Sequence, residues 1–236
     1  MSALPIEFPL EIPPATHVHP FRLGGVLKLM REVLQSDDQV KAGLEFFDAV
    51  GGMGGEVTFE RFTKRPEGRR LLITQPDLVT LLGNREALAA MPEGSLGRAY
   101  LEFAELNGFA ADGLVEKSKN VDRENAVIDP YREWFWDRFT MAHDLWHVLT
   151  GCDTSPEGEV RLLAFLYAQS PQRGYLMLLL LGTFGSLTPF DQHAIRWRSY
   201  RAGKRAFDLV AVPWENYLAW PLEEVRRSYN VEVIGQ

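Results

Sequence analysis

From Tyr131 to Thr150 the chain runs YREWFWDRFTMAHDLWHVLT without a glycine or a proline, and Pro130 and Gly151 bracket it. Proline at the first helical position and glycine just past the last mark the two ends of an α-helix. A segment so marked commits the second half of the chain to helix packing. The neighbouring segments carry similar marks. Cys152 to Gly158 reads as a loop, a long apolar helix begins near Glu159, and Thr188-Pro189 opens a third helix. Pro213 opens a last one, WENYLAWPLEEVRRSY, with a kink expected at Pro221.

The first half is less regular. Gly24 to Gln35 has helical spacing, with Val26, Leu27, Met30, Val33 and Leu34 on one face. Ser36-Asp37-Asp38 supplies caps for a second helix bearing Val40, Leu44, Phe47 and Val50, which the glycine cluster 51–55 is expected to end. Thr63 to Arg70 reads as a polar turn, Pro76-Asp77 as a helix start, and Leu96 to Asn107 as a helix stopped by Gly108. No run of alternating strands appears. The expected fold is mostly α: an extended N-terminal arm over residues 1–20, then a single helical domain over 21–236 with its core in a C-terminal bundle.

At 236 residues the chain is long enough to bury a core without disulfide or metal staples. Its formal net charge of −7 argues against a duplex-nucleic-acid partner. The single cysteine, Cys152, cannot pair within the chain and fits a reducing compartment. The N-terminal sequence has no signal-peptide or transit-peptide character. The greasiest run, Gly174 to Leu187, is shorter than the roughly 20 apolar residues that span a bilayer, so it reads as a buried or interfacial helix.

The chemistry concentrates in His143-Asp144-Leu145-Trp146-His147, followed eleven residues later by Glu159. Residues four apart on a helix share a face, so the two imidazoles stand one turn apart with Asp144 at the edge. The short loop after Gly151 returns the next helix antiparallel and brings Glu159 to its start. A metal site between two antiparallel helices of the bundle is the expected result, with His143, Asp144, His147 and Glu159 as ligands. Neutral imidazoles bind divalent transition ions, and carboxylates offset the cost of burying their charge. Two histidines plus one carboxylate leave positions open for substrate, as catalytic sites do. Asp144 and Glu159 are also the candidate catalytic residues, and Asp144 has the alternative role of orienting a histidine. Zinc is the first expectation for the ion, with iron, manganese and magnesium open. His17, His19 and His193 have no partners at ligand spacing.

Three blocks resemble the ubiquinone (coenzyme Q) biosynthesis protein family written Coq-four. They are the HD-x-x-H-x(11)-E signature, the block MPEGSLGRAYLEF at 91–103, and the closing WENYLAWPLEEVRRSYNV. The family's basic stretch before the His-Asp pair is reduced here to Arg138. The resemblance implies a mostly helical, membrane-associated protein that binds an isoprenoid tail. It also implies a role in oxidative decarboxylation (C1 decarboxylation and hydroxylation) of a prenylated aromatic precursor, as a metal-dependent lyase, as a scaffold for the other biosynthetic enzymes, or both. The expected setting is a bacterial cytoplasm, peripheral to the inner membrane, with a homodimer open. Arg196, Arg198, Arg201, Lys204 and Arg205 could then face anionic headgroups. Two other readings stay open: a non-catalytic isoprenoid-lipid-binding scaffold and a His-Asp-type metal phosphohydrolase, which would need further ligands such as Asp191 or His193.

Overall fold

The structure, a computed structural model, describes residues 11–14, 53–108, 129–184 and 191–235. The expected arm over 1–20 (apart from 11–14) and the expected helices between 24 and 50 lie outside the described residues. Helix α1 (Met53–Lys64) is followed at once by α2 (Pro66–Thr74). The expected polar turn over 63–70 is thus a correction, because only Arg65 leaves the helical conformation. It precedes Pro66, whose ring pushes the preceding residue into an extended conformation, and Pro66 then occupies the first turn of α2. The glycine cluster also departs from expectation, since its last two members lie in the first turn of α1.

Helix α3 (Leu78–Gly83) is capped by Asp77, which accepts from the Thr80 backbone N–H at 2.9 Å and from its hydroxyl at 2.6 Å. Asn84 caps α4 (Arg85–Ala89), and Ser95 caps α5 (Leu96–Leu106). The longest helix among the described residues, α6 (Pro130–Thr150), begins at Asp129, whose carboxylate accepts from two first-turn amides, and ends at Gly151 with φ 70°. Ser155 caps α7 (Pro156–Gln169), which starts three residues earlier than the sequence suggests. After a break at Ser170 come α8 (Arg173–Phe184) and α9 (Asp191–Arg205). Among the described residues there is no strand, and one isolated bridge joins Ser95 to Pro221. Nor is any helix there long and apolar enough to cross a membrane.

The expected last helix, kinked at Pro221, is replaced by a 3₁₀ turn (Trp214–Asn216) and a separate α10 (Leu222–Ser228). Pro221 cannot donate to a preceding turn and restricts Trp220, so the helix starts only after it. The interrupted segment has a use. The Leu96 and Gly97 amides at the head of α5 donate to the carbonyls of Trp220 (2.9 Å) and Leu218 (2.7 Å), and the Leu222 amide donates to Gly94 (2.9 Å). Amides that a helix start leaves unpaired are thereby satisfied by the closing segment.

Helix α7 packs most extensively on α9. Gly203 allows the close approach: a Cβ there would lie 2.4 Å from the Phe165 carbonyl oxygen. Gln169 joins the pair, donating to the Gly203 carbonyl at 2.6 Å and accepting from the Leu209 amide at 3.0 Å. The core around α6 is aromatic. Along it Phe135 meets Phe139 at a tilt and Phe139 meets Trp146 edge-on, and Phe59 and Phe62 of α1 meet Phe135. Arg138 is buried here, paired bidentately with Glu215, donating to the Val212 carbonyl at 2.8 Å and lying over Trp134. The run of positive charge on α9 is divided: Arg196 is buried, Arg205 pairs with Glu232, and Arg198, Arg201 and Lys204 are exposed.

Candidate metal centre

His143 and His147 share a face of α6 one turn apart, their ring centroids 4.8 Å from each other. The loop from Gly151 to Ser155 reverses the chain and delivers Glu159 in the first turn of α7. That loop is closed tightly. A Cβ at position 158 would lie 2.1 Å from Asp153 Oδ1 and 2.3 Å from its carbonyl oxygen, so Gly158 leaves the room the turn needs. One ligand atom from each of His143, His147 and Glu159 lies within 4.8 Å of the other two, so the group could hold a metal ion.

The two carboxylate oxygens of Glu159 face the two rings. Oε1 is 3.2 Å from His147 Nε2, and Oε2 is 3.8 Å from His143 Nε2. His147 is almost wholly buried, at 1% exposure, whereas the side chains of His143 and Glu159 are 27% and 37% exposed. The group therefore has a closed end at His147 and an open end at His143 and Glu159.

The tautomer of His147 follows from its surroundings. Its Nδ1 lies 3.1 Å from the Cys152 carbonyl oxygen, which can only accept, so Nδ1 carries the proton. In the neutral ring Nε2 then carries a lone pair. This atom is buried without a hydrogen-bond partner and faces a carboxylate oxygen. Two lone-pair atoms 3.2 Å apart repel unless a proton or a metal ion stands between them. Donors around a tetrahedral zinc ion sit about 3.4 Å apart. The residues present therefore fit a divalent ion, and the carbonyl behind the ring is the usual orienting partner of a ligating histidine.

Asp144 stands apart from this group. It is buried, with Oδ1 3.6 Å from His143 Nδ1, on the ring edge away from Glu159. Burial would lower the pKa of His143, but the adjacent Asp144 carboxylate and the charge of Glu159 outweigh it, and the net shift is upward. Burial raises Glu159, while the two imidazoles beside it outweigh that effect and hold the carboxyl below its ordinary value. The Tyr100 hydroxyl, buried without a partner, is pushed up by burial and by the charge of Asp144. Phe103 stacks on His147 with centroids 5.4 Å apart and 22° between planes.

Neither Tyr100 nor Phe103 was singled out individually from sequence, though both lie in the block at 91–103. Cys152 is buried, and its thiol is not in the group; its backbone carbonyl is the part that matters. Among the described residues His193 does not join the group either.

The family model described as "Coenzyme Q (ubiquinone) biosynthesis protein Coq4" matches residues 52–234. The chain is 32% identical over 178 residues to "Ubiquinone biosynthesis protein COQ4, mitochondrial" of Yarrowia lipolytica, covering 73% of this chain and 64% of that one. It is 31% identical over 175 residues to the "Ubiquinone biosynthesis protein COQ4 homolog, mitochondrial" of Aedes aegypti, covering 71% and 60%. The chain thus spans less than two thirds of the length of these curated relatives. Its fold matches the crystal structure of a putative ubiquinone biosynthesis protein from Nostoc punctiforme with a TM-score of 0.65 at 22% identity, over 88% of this chain and 95% of that one.

Proposed function

Because the chain belongs to the coenzyme Q (ubiquinone) biosynthesis protein Coq4 family, we propose that it performs a metal-dependent step of ubiquinone biosynthesis, the oxidative decarboxylation at C1 of a prenylated aromatic precursor. The observation that carries this reading is the buried, unpartnered Nε2 of His147 set against Glu159, with its proton fixed on the other nitrogen by the Cys152 carbonyl. His143, His147 and Glu159 would hold the ion, with zinc as the proposed metal. Once bound, such an ion acts as a Lewis acid on a phenol or carboxyl oxygen of the substrate. His147 anchors the buried end. His143 and Glu159 form the accessible end, where an aromatic acid would approach. Asp144 holds the His143 ring in place by its charge and keeps the imidazole electron-rich.

A second reading, a scaffold that gathers the other biosynthetic enzymes at a membrane surface, is favoured by a separate observation. Leu176 and Leu180 of α8 and Trp197 of α9 are exposed at 38%, 45% and 61%, and Arg198 and Arg201 of α9 are exposed with them. Both readings place the chain peripheral to a bilayer, at the cytoplasmic face of a bacterial inner membrane, and the two roles are compatible in one protein.

The test is the metal content of protein purified without chelators, beside His147→Ala and Glu159→Gln. The expected result is about one ion per chain in the parent and loss in both variants, with helical circular dichroism retained because the aromatic core does not depend on the ion. Turnover should vanish with the ion. Variants that lose the metal yet keep turnover would overturn the catalytic reading and leave the scaffold. A parent protein that holds no metal would overturn the metal centre itself.

A further inference from the structure

We propose that Asn107 and Thr154 are positioning residues of the metal centre, a side-chain latch that sets the His147 imidazole through the two segments it joins. This rests on the metal reading of His143, His147 and Glu159. The Thr154 hydroxyl donates to Asn107 Oδ1 at 2.6 Å, and Asn107 Nδ2 donates to the Phe103 carbonyl at 2.7 Å. Both side chains are half-buried. Asn107 ends α5, and Thr154 lies in the loop between α6 and α7, so the pair ties a helix end to a loop 47 residues away in sequence.

Each tied segment touches His147. One turn before Asn107, the Phe103 ring stacks on one face of the imidazole. Two residues before Thr154, the Cys152 carbonyl accepts the Nδ1 proton. One residue after Thr154, Ser155 opens α7, and its carbonyl accepts from the Glu159 amide at 2.8 Å. The stacked ring, the orienting carbonyl and the carboxylate thus come from two pieces of chain joined by one hydrogen bond, with a second inside the end of α5 fixing the Asn107 amide. A buried imidazole is directional as a ligand, because its lone pair lies in the ring plane. A loop free to move relative to α5 would rotate that plane and part Nε2 from Glu159.

The latch is specific about residue type. Asn107 accepts from a hydroxyl with one atom and donates to a carbonyl with the other. An aspartate there would turn a carboxylate oxygen toward the Phe103 carbonyl. A valine at 154 keeps the shape of threonine and removes the donor.

The experiment measures zinc affinity by chelator competition and the visible spectrum of the cobalt(II)-substituted full chain. Parent protein is compared with Thr154→Val, Asn107→Asp and the conservative Thr154→Ser. Asn84→Ala, which removes a cap on α4, serves as a control that lowers stability only. Loss of a partner that orients a ligand costs about 10–100-fold in metal affinity. Thr154→Val and Asn107→Asp should show that loss and an altered cobalt spectrum. Thr154→Ser should stay within about threefold of the parent, and Asn84→Ala should lower the melting temperature with zinc affinity unchanged. Parent-like affinity and spectrum in both Thr154→Val and Asn107→Asp would overturn the proposal while leaving the metal centre intact, as would an Asn84→Ala affinity loss equal to theirs. A parent chain that binds neither zinc nor cobalt would overturn the metal reading and this proposal together.

Discussion

Arg226 of α10 donates through Nε to the carbonyl of Leu149 at 2.8 Å, and through Nη2 to that of Val148 at the same distance. These carbonyls belong to the last turn of α6, where no further helical amide exists to pair with them. The Ile234 and Gly235 amides donate to the next one, Thr150, at 2.8 and 3.2 Å. The end of the helix that carries both histidines is therefore finished by residues more than 75 positions later.

Replacing Arg226 by Met keeps much of the stem's packing and removes both bonds. Hydrogen bonds from a charged donor contribute about 1.5–3 kcal/mol each, and a cation at a helix C-terminus up to about 1 kcal/mol more. Water can reach part of this site, so a loss of about 2–3 kcal/mol is expected in urea unfolding. A change below about 0.5 kcal/mol would mean that the cap contributes nothing net.

Asp77 gives the clearest acid-dependent contribution. The Thr80 hydroxyl and the Thr80 amide hold its carboxyl below its ordinary value of 3.8, against a smaller opposing effect of burial. A carboxyl lowered in the folded state stabilises fully above its unfolded pKa, and the gain disappears as pH falls through the folded one. Asp77→Ala should thus cost about 1 kcal/mol at pH 7. The gap between the two stability curves should close at the acid end, below the ordinary carboxylate value. A gap independent of pH would remove the charge from the explanation.

Cys152 should be inert in the folded protein. It is 3% exposed, and burial pushes its thiol above the ordinary value of 9.0, so little reactive thiolate is present at neutral pH. Alkylation by iodoacetamide at pH 7.5 is expected to be at least about tenfold slower in the native chain than in urea. Equal rates would show that the loop carrying the His147 acceptor opens freely.

Helix ends were legible wherever a local signal set them. Pro130 and Gly151 act through the neighbouring backbone, so the sequence around α6 contains its own boundaries, whereas α7 starts at Pro156, three residues before the apolar pattern that suggests it. The interval from His143 to Glu159 was legible for the same reason: an i, i+4 pair and a short reversal leave little choice of geometry. What could not be read depended on distant chain. The break at Arg65 and the interrupted terminal segment each turn on a proline whose effect is decided by what packs there. Pro221 ends one path and lets the Leu218 and Trp220 carbonyls meet α5. Asp144, three residues before His147 and so at the edge of the histidine face, has its Oδ1 3.6 Å from His143 Nδ1, which suits the orienting role weighed for it beside that of a ligand. Phe103 and the Cys152 carbonyl carry no chemical signature of their own; only tertiary contact gives them a role.

The distance in sequence between Leu149 and Arg226, 77 residues, is also an interval of time. At about 5–20 residues per second, a ribosome takes roughly 4–15 s to add that stretch. During those seconds the histidine-bearing helix has been made but its last turn is unfinished. Its final geometry waits on a part of the chain that has yet to be made.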